Sequence, residues 1–458
     1  MNIPETLRLQ RDYFNSAQTR DITVIKKLLL NLKTEILNQE EAIYDAVYKD
    51  FKKSQFETYL SEIGIVISEI DLTLKNLKKW SKTKRVLPSI LNFPSSDFIY
   101  SEPYGNVLII APWNYPFQLA IAPVVAAIAA GNTVVLKPSE LTPNTSQLIE
   151  NILTRVFKKE HVSIVQGDAK IATALLAQKW DYIFFTGSVP VGKIVAKAAA
   201  QHLTPVTLEL GGKSPCIIDE TVDLKLVSKR LVWAKFLNAG QTCIAPDYIL
   251  VKSEIKNELI SALKAEIIRA YGENPKLSID YPRIVNSKKL SRLLKMLEDT
   301  KIAFGGDVDE KDCYLSPTIL DEPDINSEVM KDEIFGPILP ILSYDTEDDI
   351  KAIISKYDKP LAFYVFSTNK TFTKHLMKTY SFGGGVINDA MIHFGNHRLP
   401  FGGVGESGIG AYHGRLGFET FSHQKAVVKK ANWLDIPMRY APYKNKIVQL
   451  KSMFKWFG

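Results

Sequence analysis

The chain has 458 residues, of which 46% are hydrophobic and 23% are charged, and its formal net charge is +7. This composition is that of a soluble globular protein, and the length is too great for one hydrophobic core, so two or three domains are expected. The longest apolar stretch, residues 119–130, is far shorter than the roughly 20 residues that cross a bilayer. Lysines lie along amphipathic helical patterns without interleaved aromatic residues, which argues against nucleic-acid binding.

Three cysteines, Cys216, Cys243 and Cys313, are too few and too unevenly placed for a disulfide framework, which indicates a reducing compartment. They form no Cys-x-x-Cys pair, so a structural zinc site is not expected. Residues 1–20 lack the pattern of a secretory signal, and we therefore expect a cytoplasmic protein. Cys216 follows an apolar pattern and is predicted to be buried, whereas Cys313 lies among charged residues and is predicted to be exposed.

Residues 4–80 carry apolar residues at intervals of three and four, which predicts an all-helical N-terminal segment. Within it, Asn38 and Glu41 have the spacing of a capping box for a helix that begins there. From residue 106 the pattern changes to short β-rich runs that alternate with helices. These runs occupy residues 107–110, 133–136, 162–165, 182–185 and 206–208. Such alternation predicts an α/β fold with a parallel, doubly wound sheet.

A second α/β block is predicted at residues 212–388 and is expected to form its own sheet. It contains helical patterns near residues 224–239 and 255–271 and a strand pattern at 338–342. Residues 383–385 and 400–410 are too rich in glycine for a helix or a central strand, so we predict loops there.

Cys243 is the first residue that points to chemistry, because it follows the small and polar residues Gly240, Gln241 and Thr242. A free thiol with a pKa of about 8.5 is little ionised at neutral pH, so a reactive cysteine needs a tuned environment, a base, or both. Small neighbours let the backbone approach a substrate closely, and Glu209 offers a carboxylate. The two residues are predicted to be nucleophile and base. An inert buried thiol and a surface glutamate at a strand end remain the alternatives.

A nucleotide-binding edge is predicted where the fourth β-rich run ends, at Gly187 and Ser188, before a helical pattern that contains Gly192. Unpaired N–H groups and the helix dipole at such a place favour a diphosphate. Lys137 and Glu140, after the second run, offer a cation and a carboxylate to ribose hydroxyls. The standard Gly-x-Gly-x-x-Gly spacing is missing, however, and a tight turn that uses glycine for steric reasons is the alternative.

Seven motifs occur in the order found in NAD(P)-dependent aldehyde dehydrogenases, and the chain resembles that family over about residues 5–440. The motifs are Ala111-Pro-Trp-Asn114-Tyr-Pro-Phe117, Lys137-Pro-Ser-Glu140, Phe185-Thr-Gly-Ser188, Leu208-Glu209-Leu-Gly-Gly-Lys213, Gly240-Gln-Thr-Cys243, Glu333-Ile-Phe335-Gly-Pro337 and Pro400-Phe-Gly-Gly403. The chain is most similar to the shorter class 3 branch, which acts on fatty and aromatic aldehydes and forms dimers. The markers of that branch are a short N-terminal segment and the motifs at residues 245–248, 411–414 and 421–424.

The resemblance implies the aldehyde dehydrogenase fold, with a doubly wound Rossmann-like sheet, a second α/β catalytic domain and a small oligomerisation segment. The implied dinucleotide-binding domain, with the N-terminal helices, comprises residues 1–80 and 105–211. The catalytic domain comprises residues 212–395, and residues 81–104 and 396–458 form the oligomerisation or bridging segment and the C-terminal tail. A homodimer is implied. Membrane-anchored members of the branch carry an apolar tail, whereas this chain stops after a basic segment, so the anchor is not expected here.

The resemblance also implies residue roles. Cys243 attacks the aldehyde carbon, and its backbone N–H together with the Asn114 side chain holds the oxyanion. Glu209 then deprotonates the water that hydrolyses the thioester. Tyr115 and Thr242 are expected to face the substrate. The implied cofactor-binding residues are Trp113, Lys137, Glu140, Gly187, Ser188, Gly192, Leu210, Glu333 and Phe335.

NAD is the expected cofactor, because a carboxylate at Glu140 would repel a 2′-phosphate, and NADP is the second choice. Oxidation of an aldehyde to a carboxylic acid is the expected reaction. A CoA-acylating dehydrogenase is one alternative, in which the thioester passes to CoA and the base is dispensable. A non-catalytic structural or binding protein on the same scaffold is another, and it would tolerate the loss of Cys243, Glu209 or Asn114. All three residues are present, which favours the expected reaction.

Two further patterns are open to more than one interpretation. His393 and His397 have the spacing of a metal-binding pair, but Gly395 between them argues against a helix, so no metal is expected and we predict a loop over the substrate cleft. In the tail, apolar residues share one helical face and lysines flank it. The apolar residues are Ile447, Leu450, Phe454 and Phe457, and the lysines are Lys444, Lys446, Lys451 and Lys455. This pattern is compatible with weak contact to an anionic membrane surface, with packing on a partner subunit, or with disorder.

Overall fold

The helices and strands follow the alternation that the sequence predicts. The structure, a computed structural model, describes residues 2–89 and 92–457. The α-helices are α1 Ile3–Asn15, α2 Ile22–Asn38, α3 Glu40–Phe51, α4 Gln55–Thr58, α5 Gly64–Trp80, α6 Gln118–Ala130, α7 Pro143–Val156, α8 Ala169–Leu176, α9 Val189–Ala200, α10 Leu224–Phe236, α11 Lys256–Tyr271, α12 Ser287–Lys295, α13 Glu328–Lys331, α14 Glu347–Ile354, α15 Lys370–Thr379, α16 Gly414–Thr420 and α17 Ile447–Phe457. The strands are β1 Lys84–Val86, β2 Ser95–Pro103, β3 Asn106–Ile110, β4 Thr133–Lys137, β5 Val162–Ile164, β6 Tyr182–Thr186, β7 Val206–Glu209, β8 Pro215–Ile218, β9 Tyr248–Lys252, β10 Ile302–Phe304, β11 Val308–Asp309, β12 Tyr314–Leu315, β13 Thr318–Asp321, β14 Ile338–Tyr344, β15 Ala362–Phe366, β16 Gly384–Ile387, β17 Gly408–Ile409 and β18 Ser422–Lys430.

The N-terminal segment is helical, as predicted, and α2 buries one apolar face formed by Ile25, Leu29, Leu32 and Ile36. The capping box predicted from Asn38 and Glu41 is wrong, because Asn38 is the last residue of α2 and only Gln39 separates α2 from α3. The Gln39 N–H donates back to the carbonyls of Glu35 and Ile36. Helical hydrogen bonding therefore runs through the junction and leaves no extended residue to act as a cap.

Five parallel strands form the predicted doubly wound sheet in the order β7-β6-β3-β4-β5, and β17 adds to β7 in the antiparallel sense. Strands β3 and β4 are buried at every position, as expected for strands covered on both faces. After β3, the chain adds β4 and β5 on one side of it and then β6 and β7 on the other. A topological switch point therefore lies at the carboxyl ends of β3 and β6, which is where open α/β sheets bind ligands.

The second α/β block forms a sheet of its own, in the order β10-β13-β14-β9-β8-β15-β16, and only the pair β10 and β13 is antiparallel. The loop predicted at residues 383–385 is wrong at Gly384 and Gly385, which begin the edge strand β16. An edge strand needs ladder bonds on one side only. A Cβ at Gly385 would lie 2.9 Å from the Phe363 carbonyl oxygen, so glycine permits this close pairing.

A third, antiparallel sheet is formed by β1, β2 and β18. It is built from the two segments for which an oligomerisation role was predicted, at residues 81–104 and 396–458. Exposed apolar side chains accompany it, namely Val86, Leu87, Phe93, Tyr100, Val428 and Trp433. Within residues 396–458, however, β17 pairs with β7 of the first sheet. The proposed domain boundaries and the oligomerisation role stay predictions.

The tail forms helix α17, on which Ile447, Leu450 and Phe454 are exposed. The predicted position of the Phe457 side chain lies outside what the structure describes. Across residues 2–89 and 92–457, no helix has both the length and the hydropathy of a membrane span.

All three cysteines are free thiols. Cys216 is fully buried in β8, as predicted. Cys313 is partly buried rather than exposed, because it leads into the buried strand β12 and its carbonyl accepts the Ile284 N–H at 3.0 Å.

Candidate active site

Segments that are far apart in the sequence meet at the carboxyl edge of the first sheet. Asn114 follows β3, Glu209 ends β7, and Cys243 follows the short turn after α10. The hydroxyl oxygens of Tyr115 and Thr242 lie 2.6 Å apart, so the segments that carry Asn114 and Cys243 are adjacent. The charges of Glu209 and Glu333 both act on the Cys243 thiol. The structure thus brings together the predicted nucleophile, base and oxyanion donor.

The turn before Cys243 has an unusual backbone. Asn238, Ala239 and Gly240 have φ angles of 53°, 51° and 72°, so three successive residues lie in the left-handed region. A Cβ at Gly240 would lie 2.3 Å from the Gly336 carbonyl oxygen, which explains why only glycine fits there. Strained backbone of this kind persists only where surrounding contacts hold it, and it is common at active sites.

Cys243 is partly exposed as a residue, and the neighbouring carboxyls of Glu333 and Glu209 distinguish its surroundings from those of an inert core thiol. Burial raises the pKa of the Cys243 thiol, and the nearby carboxyls of Glu333 and Glu209 raise it further. The backbone N–H groups of Cys243 and Ile244 act in the opposite direction. In this state the residue is a neutral thiol, so forming the thiolate requires transfer of its proton to a nearby base.

Glu209 is only 3% exposed, and neither of its carboxyl oxygens has a hydrogen-bond partner among the described residues. Burial alone raises the pKa of Glu209 well above its ordinary value. The alternative of a surface glutamate is therefore wrong. A buried carboxyl without a partner is costly to keep, and it has the properties expected of a group that takes up a proton during a reaction.

Glu333 and Phe335 approach the cleft from the second sheet. The Glu333 carboxyl packs on Gly211, where a Cβ would lie 2.1 Å from Glu333 Oε2, and it accepts the Gly212 N–H. Burial and the charge of Asp247 raise the pKa of Glu333 to about 8. The ring of Phe335 meets that of Trp113 edge-on at 5.2 Å between centroids. These residues, predicted to contact the cofactor, lie close to one another and to the thiol.

A buried ion pair joins the Cys243 loop to the Glu333 loop. Lys213 Nζ lies 2.6 Å from Asp247 Oδ2 and also donates to the Val329 and Asp332 carbonyls at 2.9 and 3.1 Å. Asp247 Oδ1 accepts the Ile334 N–H at 3.0 Å. Both side chains are at most 5% exposed. We call this group the Lys213–Asp247 clamp; sequence reasoning noted Lys213 in a motif but assigned no role to it or to Asp247.

Tyr115 and Thr242 were predicted to face the substrate, and in the structure their side chains contact each other. Their hydroxyls form a buried hydrogen bond of 2.6 Å, and Lys53 Nζ lies 4.5 Å from the centroid of the Tyr115 ring. Lys53 in turn pairs with Glu62 at 2.8 Å, both fully buried. This network stabilises the wall behind the thiol, and contact with substrate stays a prediction for both residues.

The predicted cofactor edge lies at the switch point of the first sheet. Lys137 is buried at the end of β4 and pairs with the half-exposed Glu140. Ser188 is the residue before α9, and its side chain does not cap that helix. A Cβ at Gly192 would lie 2.6 Å from Leu210 Cδ2. The steric alternative thus accounts for Gly192 and explains its contact with Leu210.

A Cβ at Gly187 would likewise lie 2.5 Å from the Phe185 ring, so packing also explains this glycine. Nevertheless the edge fits a dinucleotide. Next to Gly187, the Thr186 hydroxyl is buried and has no hydrogen-bond partner among the described residues, and helix α9 begins close by, at Val189. The cofactor roles of the individual residues stay predictions.

A cavity of about 650 Å³ opens beside the turn that precedes Cys243. Its wall combines apolar side chains, such as those of Phe56, Trp233 and Leu237, with charged ones, such as those of Arg230 and Asp389. Sequence reasoning missed this cavity, because α4, α10, α11 and the loop after β16 contribute to it and periodicity does not reveal their relative positions. Among the residues that line the cavity, Leu237 lies nearest to Cys243 in the sequence. This proximity is the one sequence signal that could have suggested the cavity.

His393 and His397 lie in the loop after β16 and have different partners. His393 is partly buried beside Phe401, and this burial lowers its pKa to about 4. His397 Nε2 lies 3.1 Å from the Ser68 hydroxyl, and its Nδ1 lies 2.9 Å from Glu69. Within the described part of the chain, no group of three or more His, Cys, Asp or Glu residues is arranged to hold a metal ion.

Known proteins share both the sequence and the fold. Residues 3–427 match the profile of the aldehyde dehydrogenase family. The chain is 46% identical over 445 residues to 4,4'-diaponeurosporen-aldehyde dehydrogenase of Staphylococcus aureus, covering 97% of each chain. It is 45% identical over 425 residues to aldehyde dehydrogenase family 3 member A2 of Pongo abelii, covering 93% of this chain and 88% of the relative. The solved structure of the substrate-bound state of Staphylococcus aureus AldH matches with a TM-score of 0.97 at 46% identity, covering 99% and 100% of the two chains. The chain therefore belongs to the aldehyde dehydrogenase family, is most similar to its class 3 branch, and is an NAD(P)-dependent enzyme that oxidises aldehydes to carboxylic acids.

Proposed function

We propose that Cys243 is the nucleophile of this oxidation, that Asn114 and the Cys243 backbone N–H form the oxyanion hole, and that Glu209 is the base. The observation that supports these roles best is the state of Glu209: a buried carboxyl without an internal partner, close enough for its charge to act on the thiol. An isolated buried carboxyl is a poor structural element, and its retention beside a thiol favours a role in proton transfer.

The residues act in two stages. Cys243 loses its thiol proton to water and attacks the aldehyde carbon, and the oxyanion forms against the Asn114 amide and the Cys243 N–H. When bound, a nicotinamide ring would supply the acceptor for the hydride that leaves this carbon. Glu209 then removes a proton from water as the water attacks the thioester, and it returns this proton to the departing Cys243 thiolate, so that the carboxylic acid is released and the thiol is restored. A base with this role has no purpose in a CoA-acylating enzyme, and its presence disfavours that alternative.

NAD is the proposed cofactor, with NADP as the second choice. Glu140 is partly exposed at the end of β4 and is paired with the buried Lys137, so a carboxylate stands where ribose hydroxyls are expected. A 2′-phosphate there would meet this negative charge. Ser188, Trp113, Glu333 and Phe335 are the other proposed contacts, and they cover the diphosphate and nicotinamide ends of the same edge.

Medium-chain or aromatic aldehydes are the proposed substrates. The Staphylococcus aureus relative is named for a 4,4'-diaponeurosporen-aldehyde. Absorbance of reduced nicotinamide with octanal, benzaldehyde and glyceraldehyde, measured with NAD and NADP separately, tests both assignments. Preference for glyceraldehyde would contradict the proposed substrate class, and preference for NADP would contradict the proposed cofactor.

A cytoplasmic homodimer is the proposed state of the protein. Three free cysteines fit a reducing compartment. The exposed apolar side chains around β2 and β18 fit an interface between subunits. Weak contact of α17 with an anionic membrane surface is a further proposal, supported by exposed Ile447, Val448 and Phe454 beside lysines. Sedimentation velocity tests the dimer, and co-sedimentation with anionic vesicles before and after deletion beyond Tyr443 tests the membrane contact.

A further inference from the structure

Asn238, in the left-handed turn before Cys243, bonds to the backbone of Asn114, which carries one proposed oxyanion donor, and to that of Gln241, two residues before the other. Its side-chain Nδ2 donates to the Asn114 carbonyl at 2.7 Å and to the Gln241 carbonyl at 3.1 Å. The residue is fully buried. Both partners are carbonyl oxygens, so the amide must present its NH₂ group to them, and no other orientation of the side chain satisfies them.

The orientation of Asn238 carries a cost. Its Oδ1 is buried and has no hydrogen-bond partner among the described residues. A buried amide oxygen without a partner is uncommon in native proteins and calls for an explanation. Retaining it is reasonable if the two bonds from Nδ2 have a purpose beyond stability.

The backbone of Asn238 is held from the opposite side. Its N–H donates to Glu57 Oε1 at 2.7 Å, and its carbonyl accepts the Gln241 side-chain amide at 3.0 Å. The same Gln241 amide donates to the Arg283 carbonyl at 3.0 Å. Glu57 is 5% exposed and lies on helix α4, in the N-terminal segment. Asn238 is thus held by direct bonds to Asn114 and Glu57 and, through Gln241, by the segment that carries Arg283.

We infer that Asn238 is a positioning residue for the oxyanion hole, which it sets by tying the Asn114 peptide to the turn that carries the Cys243 N–H. This inference rests on the proposed roles of Asn114 and Cys243. The two donors come from separate segments, and the bond from Asn238 to Asn114 is the one described hydrogen bond from this turn to the peptide of that donor. A displacement of about 1 Å in such a site can cost about 100-fold in rate.

The test compares Asn238→Gly with Ala239→Gly. Glycine tolerates the left-handed backbone at both positions, so each substitution removes only a side chain from the same turn, and only the first removes the bond to Asn114. Each variant is assayed in two reactions of the Cys243 thiol. Acylation by p-nitrophenyl acetate passes through an oxyanion, whereas alkylation by iodoacetamide does not.

We expect Asn238→Gly to acylate about 10- to 100-fold more slowly, and to be alkylated within about twofold of the wild-type rate. Ala239→Gly is expected to stay within about threefold of wild type in both reactions. Binding of NAD, measured by calorimetry, should be unchanged in both variants. Asn238→Asp, which tolerates the same backbone but lacks the NH₂ donors, should show the same selective loss of acylation and serves if the glycine variant does not fold.

Two results would overturn the inference. One is acylation by Asn238→Gly at the rate of Ala239→Gly. The other is an equal loss of acylation and alkylation, which would indicate that Asn238 shapes the thiol environment rather than the oxyanion hole. A failure of the proposed function is visible separately, because Cys243→Ala would then still be acylated at the active site or still turn over aldehyde.

Discussion

Two buried carboxyl groups near the thiol, Asp247 and Glu209, have opposite surroundings. In the Lys213–Asp247 clamp, both oxygens of Asp247 are bonded, one to an ammonium group and one to a backbone N–H. In the cleft, neither oxygen of Glu209 has a partner among the described residues. A paired buried carboxylate thus holds the loops together, whereas an unpaired buried carboxyl is kept for chemistry.

Removing the nucleophile should have the largest effect. Cys243→Ala is expected to lower kcat for aldehyde oxidation by about 10⁴-fold or more, because no covalent adduct can form. Reduced-nicotinamide absorbance measures it. Cys313→Ser is the matched control, since this thiol lies outside the cleft and its loss should leave kcat close to wild type. Substantial turnover by Cys243→Ala would show that Cys243 is not the nucleophile, and Glu209 would then have no thioester to hydrolyse beside it.

Breaking the clamp should affect stability most. Lys213→Met leaves Asp247 buried without its partner, and it should lower the free energy of unfolding by about 3–5 kcal/mol. Urea denaturation gives the value. Lys193→Met, which breaks the exposed pair with Glu406, is the control and should change the unfolding midpoint far less. Equal effects from the two substitutions would show that the clamp is not a stabilising element.

Glu209→Gln should lower the rate of turnover without lowering stability, which is the reverse of the effect expected for Lys213→Met. We expect the steady-state rate to fall by about 100-fold or more, with an initial burst of reduced nicotinamide, because hydrolysis loses its base while hydride transfer does not. The free energy of unfolding should not decrease, since the substitution removes an ionisable group that burial disfavours. Marked destabilisation without a loss of rate would show that Glu209, like Asp247, stabilises the fold and is not the base.

Glu57 gives an intermediate case, a buried carboxyl with one bond, to the Asn238 N–H. Burial raises its pKa to about 7, so the folded state keeps a proton that the unfolded state loses above about pH 4.5. The contribution of Glu57 to the free energy of unfolding therefore falls as the pH rises from about 4.5 to 7. The stability of Glu57→Gln relative to wild type should rise over that window by up to about 1.4 kcal/mol per pH unit. Urea midpoints at pH 5, 6 and 7 measure it, and parallel curves would contradict the assignment.

Local patterns predicted much of this molecule. Alternating β-rich and helical runs located both sheets, and the small residues before Cys243 marked the thiol as accessible. The prediction of a capping box at Asn38 was wrong because the spacing of Asn and Glu also occurs where one helix continues almost directly into the next. Gly384 and Gly385 were assigned to a loop because composition does not show that an edge strand tolerates glycine.

The supporting contacts of the site were not predictable in the same way. Asn238 bonds to a residue 124 positions earlier, and Glu57 bonds to Asn238 across 181 positions. A left-handed asparagine before Ala-Gly suggests a turn, but nothing local names the partner of its side chain. The raised pKa of Glu209 also depends on burial by distant segments, so the sequence indicates a base without indicating its protonation state.

The central claim is that Cys243 is acylated during turnover and that Glu209 releases the product. Mixing Glu209→Gln with NAD and octanal, quenching in acid and mapping peptides by mass spectrometry tests it most directly. We expect a mass increase of one octanoyl group on the peptide that contains Cys243. Formation of reduced nicotinamide with that peptide unmodified, or with the acyl group on another residue, would contradict it.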